Sequence, residues 1–280
     1  MLVVVLALSA SLLWGVADFA CGLFSRRLPA ILVVLVLQTG GLLGIAVVLA
    51  VTREAPPGLE SVLLAAGAGL SGAVGLVCFF RGMALGSMAV VAPVFASGAA
   101  IVPVVVGLAT GDTVTTLVGV GLALAAVGIL LASLESEHEA ERSRQARKAL
   151  GFALIGALAV SGFVVGSDAA SDGSVTWTLF VARAAAIPFL MIGAGLARAR
   201  RPARSDLAAI GFFGLIDLAA TACFGLAVTQ GALAVVAVLA AMYPVVTAGL
   251  ARVVLQERIR RIQFAGVVFA LLGVALVAAG

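Results

Sequence analysis

Long apolar stretches follow one another along this chain, separated by short polar breaks. A helix needs about 20 apolar residues to cross the hydrocarbon core of a bilayer. Strict alternation of polar and apolar residues, which marks barrel strands, is missing here, so the stretches predict transmembrane helices. Ten stretches can be marked, at about 2–23, 30–51, 59–85, 87–110, 114–133, 150–165, 175–197, 207–228, 232–255 and 262–279.

The second half of the chain repeats the first at an offset of 145 residues. At this offset Cys223 and Phe224 align with Cys78 and Phe79, and three glycines of the second half fall on glycines of the first. Five spans per copy is an odd number, so the two copies cross the membrane in opposite directions. Such inverted repeats are common in secondary transporters.

The pattern therefore predicts an all-α integral membrane protein with ten transmembrane helices in two inverted five-helix repeats. The first repeat covers residues 1–134 and the second covers residues 149–280. Between them, residues 135–148 alternate acids and bases, which predicts a charged and partly helical surface linker.

Composition excludes an ordinary soluble domain. Hydrophobic residues make up 63% of the chain, charged residues make up 11%, and the mean hydropathy is +1.26. The basic pI does not indicate nucleic-acid binding, because the basic residues lie in the short breaks between apolar stretches. The three cysteines lie in or beside apolar stretches without a CxxC spacing, so they predict neither a disulfide nor a metal site.

The basic residues also predict an orientation. Thirteen of them fall in the breaks after stretches one, five, seven and nine, whereas only Arg53 falls in a break on the opposite face. The positive-inside rule then places both termini of the ten-helix unit outside the cytoplasm.

Ionisable residues inside the stretches mark the candidate site. A charge near the bilayer centre costs about 2.5–3.5 kcal/mol even on a lenient scale. Arg183 and Asp217 lie near the middle of their stretches, where adjacent antiparallel helices would let them pair. Asp18 and Arg81 lie nearer one membrane face at similar depth. All four are candidates for lining a water-filled pathway, the alternative being ion pairs that only hold helices together.

Several other residues are candidates for the same cavity. Gln38 aligns with Arg183 at the repeat offset, and Trp14 lies in mid-span, where stacking on a substrate is one hypothesis. Tyr243 and Thr247 are one turn apart beside a proline and are expected to line a polar cavity at a helix kink. Four prolines inside predicted spans are expected to kink their helices by removing a backbone donor: Pro93, Pro103, Pro188 and Pro244.

At these positions the chain resembles the EamA family of the drug/metabolite transporter superfamily. The segments that carry the resemblance are Trp14–Phe19, Phe80–Val94, Met242–Thr247 and Gln256–Arg258. The resemblance implies a ten-helix permease with a central cavity between the two repeats, and termini inside the cytoplasm, against the charge count. The chain departs from the family in Asp112, where glutamate is usual, and in Gln38, where arginine is frequent.

Together these features predict a secondary-type transporter of small metabolites such as amino acids, with alternating access to a substrate site between the repeats. The alternatives are a flippase of lipids or lipid-linked substrates, and an integral-membrane scaffold. No His/Ser/Asp grouping, metal-ligand spacing or phosphate-binding glycine loop is found, so an enzyme is not expected.

The expected partners follow from this reading. They are a small-molecule substrate and the lipid bilayer, with protons as a candidate coupling ion and no nucleic acid. We expect no cofactor and no metal. The predicted location is the plasma (inner) membrane, as a multi-pass protein that is a monomer or a homodimer.

Overall fold

A computed structural model describes residues 1–110, 115–132, 140–170, 174–197, 202–230, 233–257 and 260–279, without the side chains of 102–110, 140–143, 233–234 and 237. The described residues form helices joined by short connections and contain no strand. The helices are α1 (Leu2–Ser25), α2 (Ala30–Thr52), α3 (Leu59–Leu85), α4 (Met88–Thr110), α5 (Thr116–Ala132), α6 (Ala140–Ala170), α7 (Val175–Leu196), α8 (Arg204–Gln230), α9 (Leu233–Ala240), α10 (Tyr243–Val254) and α11 (Arg261–Ala279).

Seven of these helices are long and apolar enough to cross a membrane, which agrees with a helical integral membrane protein. They are α1, α2, α3, α6, α7, α8 and α11. Three further apolar segments fall short of that length where side chains are described: Met88–Ile101 within α4, Thr116–Ala132, which is α5, and Val238–Val254, which runs from the end of α9 through α10. Many large apolar side chains point outward from the bundle, as a surface in contact with lipid requires.

Two predicted bounds are wrong. The sixth stretch was expected to end near residue 165 and to be followed by a loop, but α6 continues to Ala170. It also begins at Ala140, so the charged segment is helical from there onward, while residues 133–139 lie outside the described part. Apolar content alone places a helix end at the membrane boundary, whereas the helical backbone continues into water as long as its hydrogen bonds are made.

The ninth stretch is not one helix. A turn at Ala241 and Met242 separates α9 from α10. Pro244 is therefore in the first turn of α10 instead of inside a kinked helix. Proline is well tolerated there because the first turn leaves backbone N–H groups without helical partners anyway.

The helices pack through glycines at which two backbones nearly touch. A Cβ on Gly75 of α3 would lie 3.0 Å from the carbonyl oxygen of Gly156 on α6, and a Cβ on Gly82 would lie 2.9 Å from that of Ala149. Residue numbers increase along α3 as those of the facing residues on α6 decrease, so the two helices are antiparallel. Such close approach is how helices associate in lipid, where the hydrophobic effect contributes little.

The α5–α11 crossing is also antiparallel and involves equivalent positions of the two predicted repeats. Gly121 faces Gly273, and Gly128 faces Gly266, with Cβ positions that would lie 2.8 and 2.7 Å from the facing carbonyl oxygens. At the offset of 145 residues, Gly266 is the equivalent of Gly121, and Gly273 is the equivalent of Gly128. Each glycine therefore faces the equivalent of the other glycine on its own helix, so the offset exchanges the two contacts.

The core beneath the helix contacts is aromatic and sulfur-rich in the first half of the chain. Phe79, Phe80, Met83 and Met88 are almost completely buried. Phe79 also stacks on Phe95, with ring centroids 4.1 Å apart. This cluster lies where the C-terminal end of α3 meets the N-terminal part of α4.

Candidate functional site

Arg183 and Asp217 form an ion pair inside the bundle. Nη2 of Arg183 donates to Oδ2 of Asp217 at 2.8 Å. Arg183, in the middle of α7, is 6% exposed, whereas the side chain of Asp217 is 28% exposed. The arginine of the pair is therefore buried, whereas the aspartate is partly accessible.

The pair reaches across a third helix. Sequence analysis expects α7 and α8 to be adjacent, but α2 lies between them and packs against both. Arg183 crosses α2 at Gly41, where a Cβ would lie 2.6 Å from the Arg183 Nε. That Nε is buried and has no hydrogen-bond partner among the described residues. A side chain at position 41 would thus displace the guanidinium from Asp217.

Asp18 is the second carboxylate of this region. It lies on α1, which packs against α8, and it interacts electrostatically with Asp217. Asp18 is only partly buried. Within the part of the chain that the structure describes, its carboxylate has neither an ion-pair partner nor a hydrogen-bond donor. The site therefore combines two acids with one arginine.

An aromatic wall adjoins Asp18. The Trp14 ring, one turn earlier on α1, lies 6.5 Å from Tyr243 in an edge-on arrangement and 5.8 Å from Phe224. Tyr243 also interacts electrostatically with Asp18. Trp14 and Tyr243 are both partly exposed. Three helices, α1, α8 and α10, thus bring aromatic rings and carboxylates to one place.

A side-chain hydrogen bond holds α10 to α1. The hydroxyl of Thr247, which is buried, donates to the carbonyl oxygen of Gly15 at 3.1 Å and approaches that of Tyr243 at 3.3 Å. A Cβ on Gly15 would lie 2.5 Å from the Cβ of Val246. The glycine after Trp14 is therefore needed for α10 to approach closely enough to place Tyr243 beside Trp14.

The other predicted candidates lie on α2, α3 and α4. Arg81 is exposed on α3 and makes no ion pair with Asp18 in the described structure. Gln38 is buried on α2. Pro93 is buried in α4, where its carbonyl accepts the Ser97 hydroxyl at 2.8 Å. The side chain of Pro103 lies outside the described residues.

Sequence reasoning missed two residues of the site, Phe224 and Gly41. Phe224 served only to align the repeats, although its position two helical turns after Asp217 places both on one face of α8. Gly41 lies between Gly40 and Gly44, two glycines four residues apart, a spacing typical of close helix packing in membranes. Nothing in the sequence indicated that an arginine from another helix passes over it.

Two further polar clusters lie at opposite ends of the bundle. Glu257 accepts hydrogen bonds from the Ser87 hydroxyl at 2.8 Å and from the Ala89 backbone N–H at 3.1 Å, and it pairs with Arg26. It thereby ties the end of α1 to the N-terminus of α4. Gln256, with a φ of 54°, makes the turn that precedes it.

At the other end, Glu54 follows α2 and accepts hydrogen bonds from Ser174 and Thr176 at the N-terminus of α7. The Trp177 indole N–H also donates to the Glu54 carbonyl oxygen at 3.1 Å. The hydrogen bond from Ser174, aided by that from Thr176, holds the pKa of the Glu54 carboxyl below its ordinary value. These contacts fix the α2–α3 connection to α7.

Comparison with known proteins gives one family match. Residues 147–279 match the model of the EamA-like transporter family. These residues, slightly less than half of the chain, are similar to the EamA-like domain. The resemblance predicted from the motifs is confirmed for these residues, and the match indicates a membrane protein of transporter type. The EamA-like domain contains Arg183, Asp217 and Tyr243, whereas Asp18 and Trp14 precede it.

A solved crystal structure of another protein shares the fold of the whole chain. The TM-score is 0.65 at 18% sequence identity, over 99% of this chain and 96% of that chain. At this identity the likeness extends to the fold alone. No curated protein matches the sequence.

Proposed function

We propose that the protein is a carrier of small polar or amphipathic metabolites, such as amino acids, which works by alternating access between two inverted repeats. The observation that carries the proposal is the Arg183–Asp217 ion pair inside the bundle, together with Asp18, which has no ion-pair partner among the described residues. All three residues lie on helices that are apolar and long enough to span a membrane.

The energetic cost of these charges supports a transport role. Breaking a buried ion pair leaves an uncompensated charge, at a cost of about 3–5 kcal/mol, whereas apolar replacements of both partners are often neutral. A bundle that only needed to hold together would be served as well by apolar contacts. Ionisable residues inside a membrane protein typically mark a pathway for solutes or ions.

Helix packing supports the inverted repeat. The crosswise glycine contacts between α5 and α11 are those expected of a two-fold axis in the membrane plane, because equivalent helices meet there in antiparallel orientation. Contacts between other helices are related by the same two-fold axis. At the repeat offset α8 is equivalent to α3 and α6 is equivalent to α1; α3 packs against α6, and α8 packs against α1. Rocking of one repeat against the other about this axis would expose the charged site to each side in turn.

The experiment is efflux of a radiolabelled amino-acid panel from proteoliposomes. We expect transport by the unchanged protein and its loss in Asp217→Asn, because that change removes the charge facing Arg183. The double variant Arg183→Met with Asp217→Leu should retain the fold and also lose transport. Asp168→Asn, in an exposed acid near the end of α6, is the control that should transport normally.

Three results would contradict the proposal, the first its assignment of the ion pair to transport and the other two transport itself. Normal transport by the double apolar variant would reduce the ion pair to a structural contact. Scrambling of labelled lipid without movement of any polar solute would favour a flippase. Absence of both activities in well-folded protein would favour a scaffold.

A further inference from the structure

We infer that Asp18 binds the ammonium group of the transported solute, between the rings of Trp14 and Tyr243. The inference rests on the proposed function and narrows its substrates to solutes that carry a protonated amine. It follows from charge balance, from the aromatic wall and from the asymmetry of the two halves.

Charge balance leaves one carboxylate without a cation. The guanidinium of Arg183 is engaged by Asp217 at 2.8 Å and held in place over Gly41. Arg81 is exposed on α3 and does not pair with Asp18 in the described structure. Two carboxylates thus share one cation. A cationic group beside Asp18 would neutralise the site and relieve the repulsion from Asp217.

The surroundings of Asp18 suit an organic ammonium better than a metal ion. Metal ions such as Mg²⁺ and Ca²⁺ require several oxygen ligands, and no group of three metal-binding side chains occurs among the described residues. Trp14 and Tyr243 instead present partly exposed aromatic rings beside the carboxylate. Aromatic faces attract ammonium groups within about 6 Å of the ring centre.

The place related to this site by the repeat offset, between α3 and α6, is closed. The residue 145 positions after Asp18 is Phe163, and the residue 145 positions before Asp217 is Gly72. These two are in contact, because a Cβ on Gly72 would lie 3.0 Å from the Phe163 ring. An apolar contact between α3 and α6 thus stands at the position equivalent to the one where α1 and α8 bring two carboxylates together. Among the described residues the proposed ammonium site therefore occurs once, on one side of the proposed two-fold axis.

The test is equilibrium binding to purified full-length protein in detergent, followed by Trp14 fluorescence in a Trp177→Phe background. The chain has only these two tryptophans. The probes are phenethylammonium, the neutral phenethyl alcohol and the anionic 3-phenylpropionate, which share a ring and a chain. We expect saturable binding of the ammonium probe alone, weakened about tenfold or more by Asp18→Asn and unchanged by Asp168→Asn.

Equal binding of the ammonium and the alcohol by the unchanged site would overturn the inference, and this comparison does not depend on the folding of any Asp18 variant. Unweakened ammonium binding by folded Asp18→Asn would also overturn it. The proteoliposome assay separates this failure from failure of the proposed function. Amino-acid transport that persists at full rate in Asp18→Asn refutes the ammonium site while leaving the carrier intact. Ammonium binding through Asp18 without transport of any solute refutes the carrier.

Discussion

The α2–α8 crossing offers a prediction in which two neighbouring glycines respond to the same substitution with different stability. A Cβ on Gly214 would lie 2.1 Å from the carbonyl oxygen of Leu37 on α2. A Cβ on Gly211, less than one turn away on the same helix, would meet nothing within 4 Å. Gly214→Ala therefore requires α2 and α8 to separate, and Gly211→Ala does not.

The magnitude follows from two opposing effects. Alanine favours a helix over glycine by about 0.5–1 kcal/mol, and this gain is common to both variants. Overpacking that moves a backbone costs about 1–3 kcal/mol. We therefore expect Gly211→Ala to be slightly more stable than the unchanged protein, and Gly214→Ala to be about 1–3 kcal/mol less stable than Gly211→Ala. At about 2–4 °C per kcal/mol, the two melting temperatures should differ by several degrees.

The crossing also positions the site. Gly41, over which Arg183 passes, lies against Gly214, with a Cβ position 3.3 Å from its carbonyl oxygen. Separation of α2 from α8 should therefore lengthen the Arg183–Asp217 contact and reduce transport. The assays are thermal unfolding in detergent and proteoliposome flux. Equal melting temperatures for the two alanine variants would refute the described crossing, and full flux in a destabilised Gly214→Ala would refute its link to the site.

Three further predictions concern the ends of the bundle. Because its hydrogen bonds lower the pKa of Glu54 below the ordinary value of 4.5, its stabilising effect is present above that pH and is lost as the pH falls through the lowered pKa. Melting temperature should thus fall more steeply on acidification in the unchanged protein than in Glu54→Gln, and parallel curves would contradict this. Glu257→Ala should cost about 1–3 kcal/mol in thermal unfolding, because it removes hydrogen bonds at the α4 N-terminus as well as the pair with Arg26. Arg26→Ala should cost less than about 1 kcal/mol, and an equal loss in both would contradict the capping role. The charge count predicts that Arg53 lies outside the cytoplasm and Arg27 inside it. In intact cells that express a variant without native cysteines, a membrane-impermeant maleimide should therefore label Arg53→Cys and not Arg27→Cys. The reverse pattern would place the termini in the cytoplasm.

Hydrophobic pattern was sufficient to place most helices because a spanning segment must be apolar over a length that the bilayer fixes. The bounds predicted for α3 are those observed, and those of α2 differ by one residue. The pattern failed where local backbone chemistry decides, as in the turn before Tyr243 and Pro244 that divides the ninth stretch. There a proline starts a helix, and an apolar composition does not distinguish that from a kink.

For the candidate site, residue type indicated which side chains to consider, but the sequence did not indicate how they are arranged. Arginine and aspartate in mid-span are rare enough to identify Arg183 and Asp217 from sequence alone. Which acid pairs with which base depends on how each helix is rotated about its axis and on which helix lies between them. The spacing of residues within one segment does not determine either of these. Arg81 was predicted to lie near Asp18 because the two residues have similar depth in the membrane. It lies instead on an exposed face of α3.

The glycine contacts between α5 and α11 have a consequence for biosynthesis. Each helix is completed by a counterpart encoded 145 residues away, so α5 leaves the ribosome long before the surface it fits has been made. Until then its bare backbone groove faces lipid or an insertion factor. Premature termination before α11 would leave that groove permanently open, and such fragments should be recognised and degraded as orphaned membrane segments.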